Sequence, residues 1–188
     1  MRNILIMGIG RTGKTTLSNM IKEKYKQYNL IHSDSIKWAI IRATGREKYY
    51  RTHIEEQKEF EHSEYFQKVL LELFNSCIRN DKNKYGYILE SGQLKPKYVK
   101  EMINYEETLV ICLGHGNLKE KDIIELCRKH DTNQDWTYDI CNKDLESHVR
   151  KWSEMNELLK LECPRYGIKY IDTSENREQI LHSILECI

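Results

Sequence analysis

The sequence predicts an α/β fold in which a five-stranded parallel sheet lies between two layers of helices. Short apolar runs, typical of buried strands, alternate along the chain with longer segments of helical periodicity. Strands separated by helices pair in parallel through right-handed crossovers, and their helices cover both faces of the sheet. The expected strands are residues 3–7, 30–33, 87–89, 109–113 and 168–171.

The helices are predicted from the spacing of apolar residues and from signals at their ends. The helix after the first strand is expected to bury one face, made of Leu17, Met20, Ile21, Tyr25 and Tyr28. Asp34 is a good N-cap for a helix over 35–43, which Gly45 ends. A helix over 143–163 is expected to stop at Pro164. Further helices are predicted over 54–80, 118–129 and 176–187.

Composition and charge favour one soluble domain spanning residues 1–188. A net charge of +1 gives no general attraction to nucleic acid or to an anionic membrane. The apolar runs are far shorter than the roughly 20 residues that cross a bilayer, so no membrane partner is expected. The N-terminus does not resemble a signal peptide, and the six cysteines form no C-x-x-C pair. We therefore expect a reduced, cytoplasmic protein.

A phosphate-binding motif follows the first strand. The run GIGRTGKT, residues 8–15, matches G-x-x-x-x-G-K-[ST], and it opens an amphipathic helix. Its glycines let successive backbone N–H groups point inward, and the helix N-terminus adds partial positive charge. Lys14 would reach the β- and γ-phosphates, and the Thr15 hydroxyl would ligate Mg²⁺. The loop residues expected to bind ATP are Gly8, Gly10, Arg11, Thr12, Gly13, Lys14, Thr15 and Thr16.

The sequence does not support two other classes of P-loop protein, GTPases and motor ATPases. A GTPase would carry D-x-x-G and N-K-x-D motifs, and the run nearest to the second ends in Leu145 instead of Asp. The chain is also too short for a motor ATPase with a second subdomain. A small phosphotransferase that uses ATP and Mg²⁺ remains.

Residues after the second and third strands are candidates for the rest of the site. In an open α/β sheet, ligands bind at the carboxyl ends of the strands. Asp34 could accept or orient the proton of an acceptor hydroxyl. Glu90 could hold the metal's water shell, and Gly92 would let a ligand approach the backbone. Arg128, ahead of Arg150, is the first candidate for stabilising charge on the transferred phosphate.

Together these motifs resemble the nucleoside- and nucleotide-kinase group of P-loop proteins, which includes adenylate, shikimate and gluconate kinases. The resemblance implies a three-layer α/β/α P-loop NTPase fold with sheet order 2-3-1-4-5. It also implies an acceptor-binding region over about 34–80, including Trp38 and Arg42, and a lid over about 115–142. The adenine-side loop would be 172–174, with Thr173 among the nucleotide-binding residues. The stretches 88–96 and 133–137 also resemble uncharacterised bacterial kinases of this group.

The sequence departs from the best-known members of that group. Adenylate kinase would show G-[FY]-P-R after the third strand, where this chain has Ser91-Gly92-Gln93-Leu94. Shikimate kinase would show three glycines there. The expected acceptor is therefore another nucleotide, a nucleoside or a small hydroxyl metabolite. Two alternatives stay open: a P-loop regulatory or interaction module that transfers no phosphate, and a polynucleotide kinase.

Overall fold

The computed structural model describes residues 2–81, 84–133 and 135–188. Five parallel strands form one sheet in the order β2-β3-β1-β4-β5, which confirms the predicted fold class. Gln134, in the predicted lid and in the stretch 133–137, lies outside the described residues. The strands are β1 Asn3–Gly8, β2 Tyr28–His32, β3 Gly86–Ser91, β4 Thr108–Gly114 and β5 Lys169–Asp172.

Nine helices are described in these ranges, and they cover both faces of the sheet. They are α1 Lys14–Lys24, α2 Ser33–Ala43, α3 Glu47–Thr52, α4 Ile54–Glu61, α5 Glu64–Asp81, α6 Pro96–Met102, α7 Glu120–His130, α8 Asn142–Arg165 and α9 Arg177–Glu186. Within the part of the chain described, no helix is long and apolar enough to span a bilayer.

The central strand β1 joins the two layers of the core. All six of its residues are buried, and alternate side chains point to opposite faces. Ile4 and Ile6 pack with residues of α1 and α9, whereas Leu5 and Met7 pack with residues of α5, α6 and α8. Because β1 lies between β3 and β4, the loop that follows Gly8 emerges at the middle of the sheet edge.

The long helix predicted over 54–80 is two helices. α4 ends at Glu61 and α5 begins at Glu64, because the Ser63 hydroxyl accepts a hydrogen bond from the Phe66 N–H at 3.2 Å and caps α5. Two short helices, α3 and α6, were not predicted. α6 begins at Pro96, whose missing N–H costs nothing at a first helical position.

Three predicted boundaries were wrong. Asp34 does not cap α2, because the helix begins at Ser33 and the Asp34 carboxylate bonds to other side chains. Tyr28 lies in β2 and not on the face of α1. α8 passes through Pro164 and ends where Gly167 takes a left-handed conformation, with φ +72°. The Gly167 and Ile168 N–H groups bond back to carbonyls of α8 in a Schellman motif.

Candidate active site

The loop at 8–13 curls between β1 and α1, and three of its residues have left-handed backbones. Gly8 has φ +140° and Gly13 has φ +92°, and Gly13 forms the N-cap of α1. A Cβ on Gly8 would lie 2.1 Å from the Leu113 carbonyl oxygen, so only glycine fits there. The third residue, Arg11, has φ +63° although it carries a side chain. The curl turns the loop into the N-terminus of α1, the arrangement that binds anions.

The Lys14 ammonium is folded into this loop. Its side chain is buried, and Nζ donates a hydrogen bond to the Ile9 carbonyl. Burial lowers the pKa of Lys14, while the negative charges of Glu90 and Asp34 oppose that shift. Lys14 is therefore influenced electrostatically by both carboxylates, and a bound phosphate would further stabilise its charged form.

Two buried residues, which directly follow β4 and β5, hydrogen-bond to carbonyl groups of the loop. The Thr173 hydroxyl lies 3.0 Å from both the Thr12 and the Gly114 carbonyl oxygens. His115 Nε2 lies 3.0 Å from the Gly10 carbonyl oxygen and donates to it. Burial lowers the pKa of His115 to about 4, so the ring is neutral near pH 7 with its proton on Nε2. Because Thr173 is fully buried, its part in nucleotide binding, still a prediction, would act through the loop.

The loop also packs against α8. A Cβ on Gly10 would lie 2.4 Å from the Trp152 ring, so the indole rests on the loop backbone. The rings of Trp136 and His148 surround Trp152, with centroids 6.1 Å and 6.3 Å from it. Helix α8 therefore forms one wall above the phosphate loop.

The donor groups beside Lys14 suit magnesium. Thr15 and Thr16 are exposed in the first turn of α1, and the Glu90 carboxylate lies at the end of β3. Glu90 Oε2 is hydrogen-bonded to His32 Nδ1 at 2.8 Å. Mg²⁺ typically takes one or two protein oxygens and completes its shell with phosphates and water. A Thr15 hydroxyl and a Glu90 carboxylate fit that requirement.

Asp34 is the exposed member of a polar cluster at the ends of β2 and β3. Gln93 Nε2 donates to Asp34 Oδ1 at 2.9 Å, and Lys37 Nζ lies 3.0 Å from the same oxygen. The Ser33 hydroxyl donates to Gln93 Oε1 at 2.6 Å, which fixes the orientation of the amide. Lys37 also pairs with Glu61 at 2.8 Å. The Asp34 side chain is 71% exposed, so the cluster presents one carboxylate to solvent.

The charge state of Asp34 follows from these partners. Desolvation by the neighbouring groups would raise the pKa of Asp34, but the charge and hydrogen bond of Lys37, and then the hydrogen bond from Gln93, hold it below its usual value. The positive charge of Lys14 also lowers the pKa of Asp34, and the negative charge of Asp34 raises the pKa of Lys14. An ionised carboxylate therefore lies near the phosphate loop at neutral pH.

Of the predicted acceptor residues, Trp38 borders this cluster, since its ring lies 5.6 Å from Lys37 Nζ, whereas Arg42 lies further away. Arg42 lies two turns after Asp34 on α2, about 12 Å along the axis. Its guanidinium is 5.8 Å from the Trp38 ring and pairs with Glu47 at 3.4 Å. Gly92, in contrast, borders the phosphate loop, since a Cβ there would be 3.7 Å from the Gly8 carbonyl oxygen.

The Arg128 guanidinium is hydrogen-bonded to other residues of the predicted lid. It donates to the Thr137 and Ile140 carbonyls at 2.7 Å each and to Asn142 Oδ1 at 3.0 Å. These bonds tie α7 to the start of α8. The arginine that connects the lid with the phosphate loop is Arg11, which pairs with Asp131 and Asp135.

A shallow cleft opens beside the loop on the side of α9. It includes Asp172 and Ser174 of the predicted adenine-side loop. The cleft is lined by Asn117, Leu118, Asp172, Ser174, Glu175, Asn176, Gln179, Ile180 and Ser183. The buried Thr173 between Asp172 and Ser174 bonds to Thr12, so the cleft adjoins the phosphate loop.

Solved structures share this architecture over nearly their whole length. A gluconokinase from Sinorhizobium meliloti 1021 is 14% identical, with a TM-score of 0.58 over 98% of this chain and 90% of that one. A shikimate kinase from Acinetobacter baumannii, solved with shikimate, is 18% identical, with a TM-score of 0.53 over 100% and 92%. No family model and no curated protein matches the sequence. The chain has the fold of the small P-loop kinases.

Three residues that position other groups of the site were not predicted from the sequence. Gln93 lies in the stretch 88–96, but no sequence spacing links it to Asp34. Lys37 lies one turn after Asp34, a spacing that predicts contact within a helix. His115 directly follows the buried strand β4, and that position was the available signal.

Proposed function

We propose that this protein is an ATP-dependent kinase that transfers the γ-phosphate to a hydroxyl group of a small molecule. One observation carries the proposal. An exposed, ionised carboxylate, that of Asp34, lies at the same sheet edge as the phosphate loop and within electrostatic reach of Lys14. A donor phosphate held on the loop would therefore face the group that can orient an acceptor hydroxyl.

The chain's own residues divide the work between donor and acceptor. The backbone N–H groups of the loop and Lys14 would bind the β- and γ-phosphates. Thr15 and Glu90 would hold Mg²⁺, which when bound neutralises charge on the phosphate oxygens. Asp34 would orient the acceptor hydroxyl and take its proton as the phosphate arrives.

The charges around Asp34 favour an acceptor without a strongly anionic group. Lys37 already pairs with Asp34 and Glu61, and Arg42 pairs with Glu47. An anionic acceptor would have to displace one of these carboxylates, whereas a neutral hydroxyl compound would not. A nucleoside or a polyol therefore suits the surroundings of Asp34 better than a nucleoside monophosphate.

The proposal is tested by replacing Asp34 with Asn while following ADP production and nucleotide affinity separately. Nucleosides, polyols, hydroxy acids and nucleoside monophosphates would first be screened as acceptors. With the active acceptor, Asp34→Asn should lower turnover by about 10²-fold or more and leave ATP affinity unchanged. The matched control is Glu23→Gln, which removes an exposed carboxylate near the end of α1.

The outcomes separate the proposal from a binding module that transfers no phosphate. Such a module would bind ATP–Mg²⁺, turn over no acceptor in the screen and respond to neither substitution. Absence of ATP or GTP binding at millimolar nucleotide would contradict both functions.

A further inference from the structure

Arg11 has a backbone conformation that normally belongs to glycine. Its φ of +63° is left-handed, a conformation that is strained for residues other than glycine. In the described chain only Arg11 and Asn176 combine a side chain with a positive φ. Asparagine tolerates this conformation readily, but arginine does not. A strained residue in a ligand-binding loop points to a role for its side chain.

The Arg11 side chain reaches the lid and is held there by two carboxylates. Nη2 pairs with Asp131 Oδ1 and Nη1 pairs with Asp135 Oδ1. The Asp131 side chain is only 2% exposed, and the Thr137 hydroxyl donates to its Oδ1 at 2.8 Å. Asp135 Oδ2 accepts hydrogen bonds from the backbone N–H and the hydroxyl of Thr132, each at 2.9 Å. Each carboxylate is thus also held by groups within the lid.

The backbone and the side chain of Arg11 serve different partners. The Arg11 N–H belongs to the run of loop amides proposed to bind phosphate, and Arg177 Nη1 contacts the Arg11 carbonyl at 3.4 Å. The guanidinium pairs with Asp131 and Asp135 of the lid, which follow the C-terminal end of α7. Both sets of contacts are made from the same left-handed backbone. Two ligands that stabilise one strained conformation assist each other's binding.

We propose that Arg11 couples docking of the lid to phosphate binding, with Asp131 and Asp135 as its positioning residues. This inference rests on the proposed nucleotide binding at the loop. Lid docking holds Arg11 in the conformation that the phosphates require, and bound phosphates hold it in the conformation that the lid requires. Arg128 organises the lid internally, whereas Arg11 joins the lid to the donor site.

The experiment is a double-mutant cycle on nucleotide affinity. Isothermal titration calorimetry with a non-hydrolysable ATP analogue and Mg²⁺ would compare the wild type, D131N/D135N, R11G, and R11G combined with D131N/D135N. We expect D131N/D135N to weaken binding about fivefold or more, because the strained arginine loses its lid partners. In the R11G background, where glycine adopts the conformation without strain, the same pair should change affinity less than twofold.

Two further measurements guard against a merely structural effect. D135N alone leaves the buried Asp131 in place and should weaken binding in the same direction, with the circular dichroism spectrum unchanged. Hydrogen exchange over 135–142 should slow when the analogue binds to the wild type, and that slowing should disappear in R11G.

The outcomes are distinct. If the wild type binds and D131N/D135N binds equally well, the coupling is wrong while the proposed function stands. An equal loss in the wild-type and R11G backgrounds also overturns the coupling. If the wild type binds no nucleotide, both the proposed function and the coupling fail.

Discussion

The donor and acceptor halves of the candidate site are built in different ways. The donor half is one continuous stretch, residues 8–15, whose backbone forms the proposed ligand-binding surface. The acceptor half is a set of side chains from separate elements: Asp34 and Lys37 on α2, Glu61 at the end of α4, and Gln93 after β3. The first half depends on local conformation, and the second depends on hydrogen bonds between residues distant in sequence.

This difference sets how each half tolerates change. A backbone site is insensitive to most side chains but requires room, as the close approaches of Leu113 to Gly8 and of Trp152 to Gly10 show. A side-chain network loses function when a single member is removed, since its partners are then left unpaired. Substitutions in the two halves should therefore produce different signatures in binding and turnover.

The largest expected effect lies in the donor half. Lys14→Ala should lower turnover by about 10³-fold, because it removes the cation nearest the transferred phosphate. It should also abolish the rise in melting temperature with ATP–Mg²⁺. The protein without nucleotide should be no less stable, since a buried ammonium with a lowered pKa is relieved by its removal. Thermal denaturation with and without ATP–Mg²⁺ measures the melting temperature of the free protein and its rise with nucleotide, and ADP production measures turnover.

Lys22→Ala is the matched control, because Lys22 is an exposed lysine on the same helix. It should leave turnover and the ATP-dependent melting temperature at wild-type values. A Lys14→Ala variant that is still stabilised by ATP would show that Lys14 does not hold phosphate.

His115, which hydrogen-bonds to the Gly10 carbonyl of the donor loop, should make the stability of the protein depend on pH. The pKa of His115 is about 4 in the folded protein, against about 6.5 when unfolded. As pH falls from 6.5 towards 4, the unfolded chain takes up a proton that the folded chain does not, so stability falls. The loss due to His115 between pH 7 and 4.5 should be about 2–3 kcal/mol. Urea unfolding at both pH values would measure it.

His115→Gln isolates this contribution. Glutamine keeps a donor for the Gly10 carbonyl but does not titrate, so the variant should lose less stability on acidification than the wild type does. His182→Gln, at an exposed position on α9, should retain the wild-type dependence. Equal acid sensitivity in the wild type and His115→Gln would mean that His115 is not buried as a neutral ring.

Prediction from sequence succeeded where the determinants are local. The apolar runs of β1 and β4 and the helical spacing between strands were sufficient for the α/β class. Resemblance through GIGRTGKT supplied the strand order, which the structure confirms. The break between α4 and α5 was missed because apolar spacing continues across it, and one serine cap decides the boundary.

The polar contacts of the site could not be predicted in the same way. The position of Arg128 in the predicted lid suggests a role in stabilising the transferred phosphate, yet its N–H groups donate to nearby carbonyls. Arg11 was placed among loop residues, but its lid partners follow more than a hundred residues later. Contacts of this kind depend on tertiary placement, and no spacing pattern encodes them.

The smallest expected effect lies in the acceptor half, at Gln93. Gln93→Leu removes the amide that donates to Asp34 and accepts from the Ser33 and Ser91 hydroxyls. Asp34 would then be positioned by Lys37 alone, and we expect transfer to fall about tenfold with ATP affinity unchanged. Because the hydrogen bond from Gln93 helps to keep the pKa of Asp34 low, the acid limb of the turnover profile should also move to higher pH.

Ser91→Ala distinguishes the hydrogen bonds of the Gln93 amide oxygen from that of its nitrogen. It removes one hydroxyl from Gln93 Oε1 but keeps the bond from Nε2 to Asp34, so transfer should fall much less than in Gln93→Leu. Steady-state kinetics over pH 5–8 for both variants would make the comparison. If Gln93→Leu weakened ATP binding as strongly as transfer, the two halves of the site would be one mechanical unit, and the contrast between a backbone donor site and a side-chain acceptor site would be wrong.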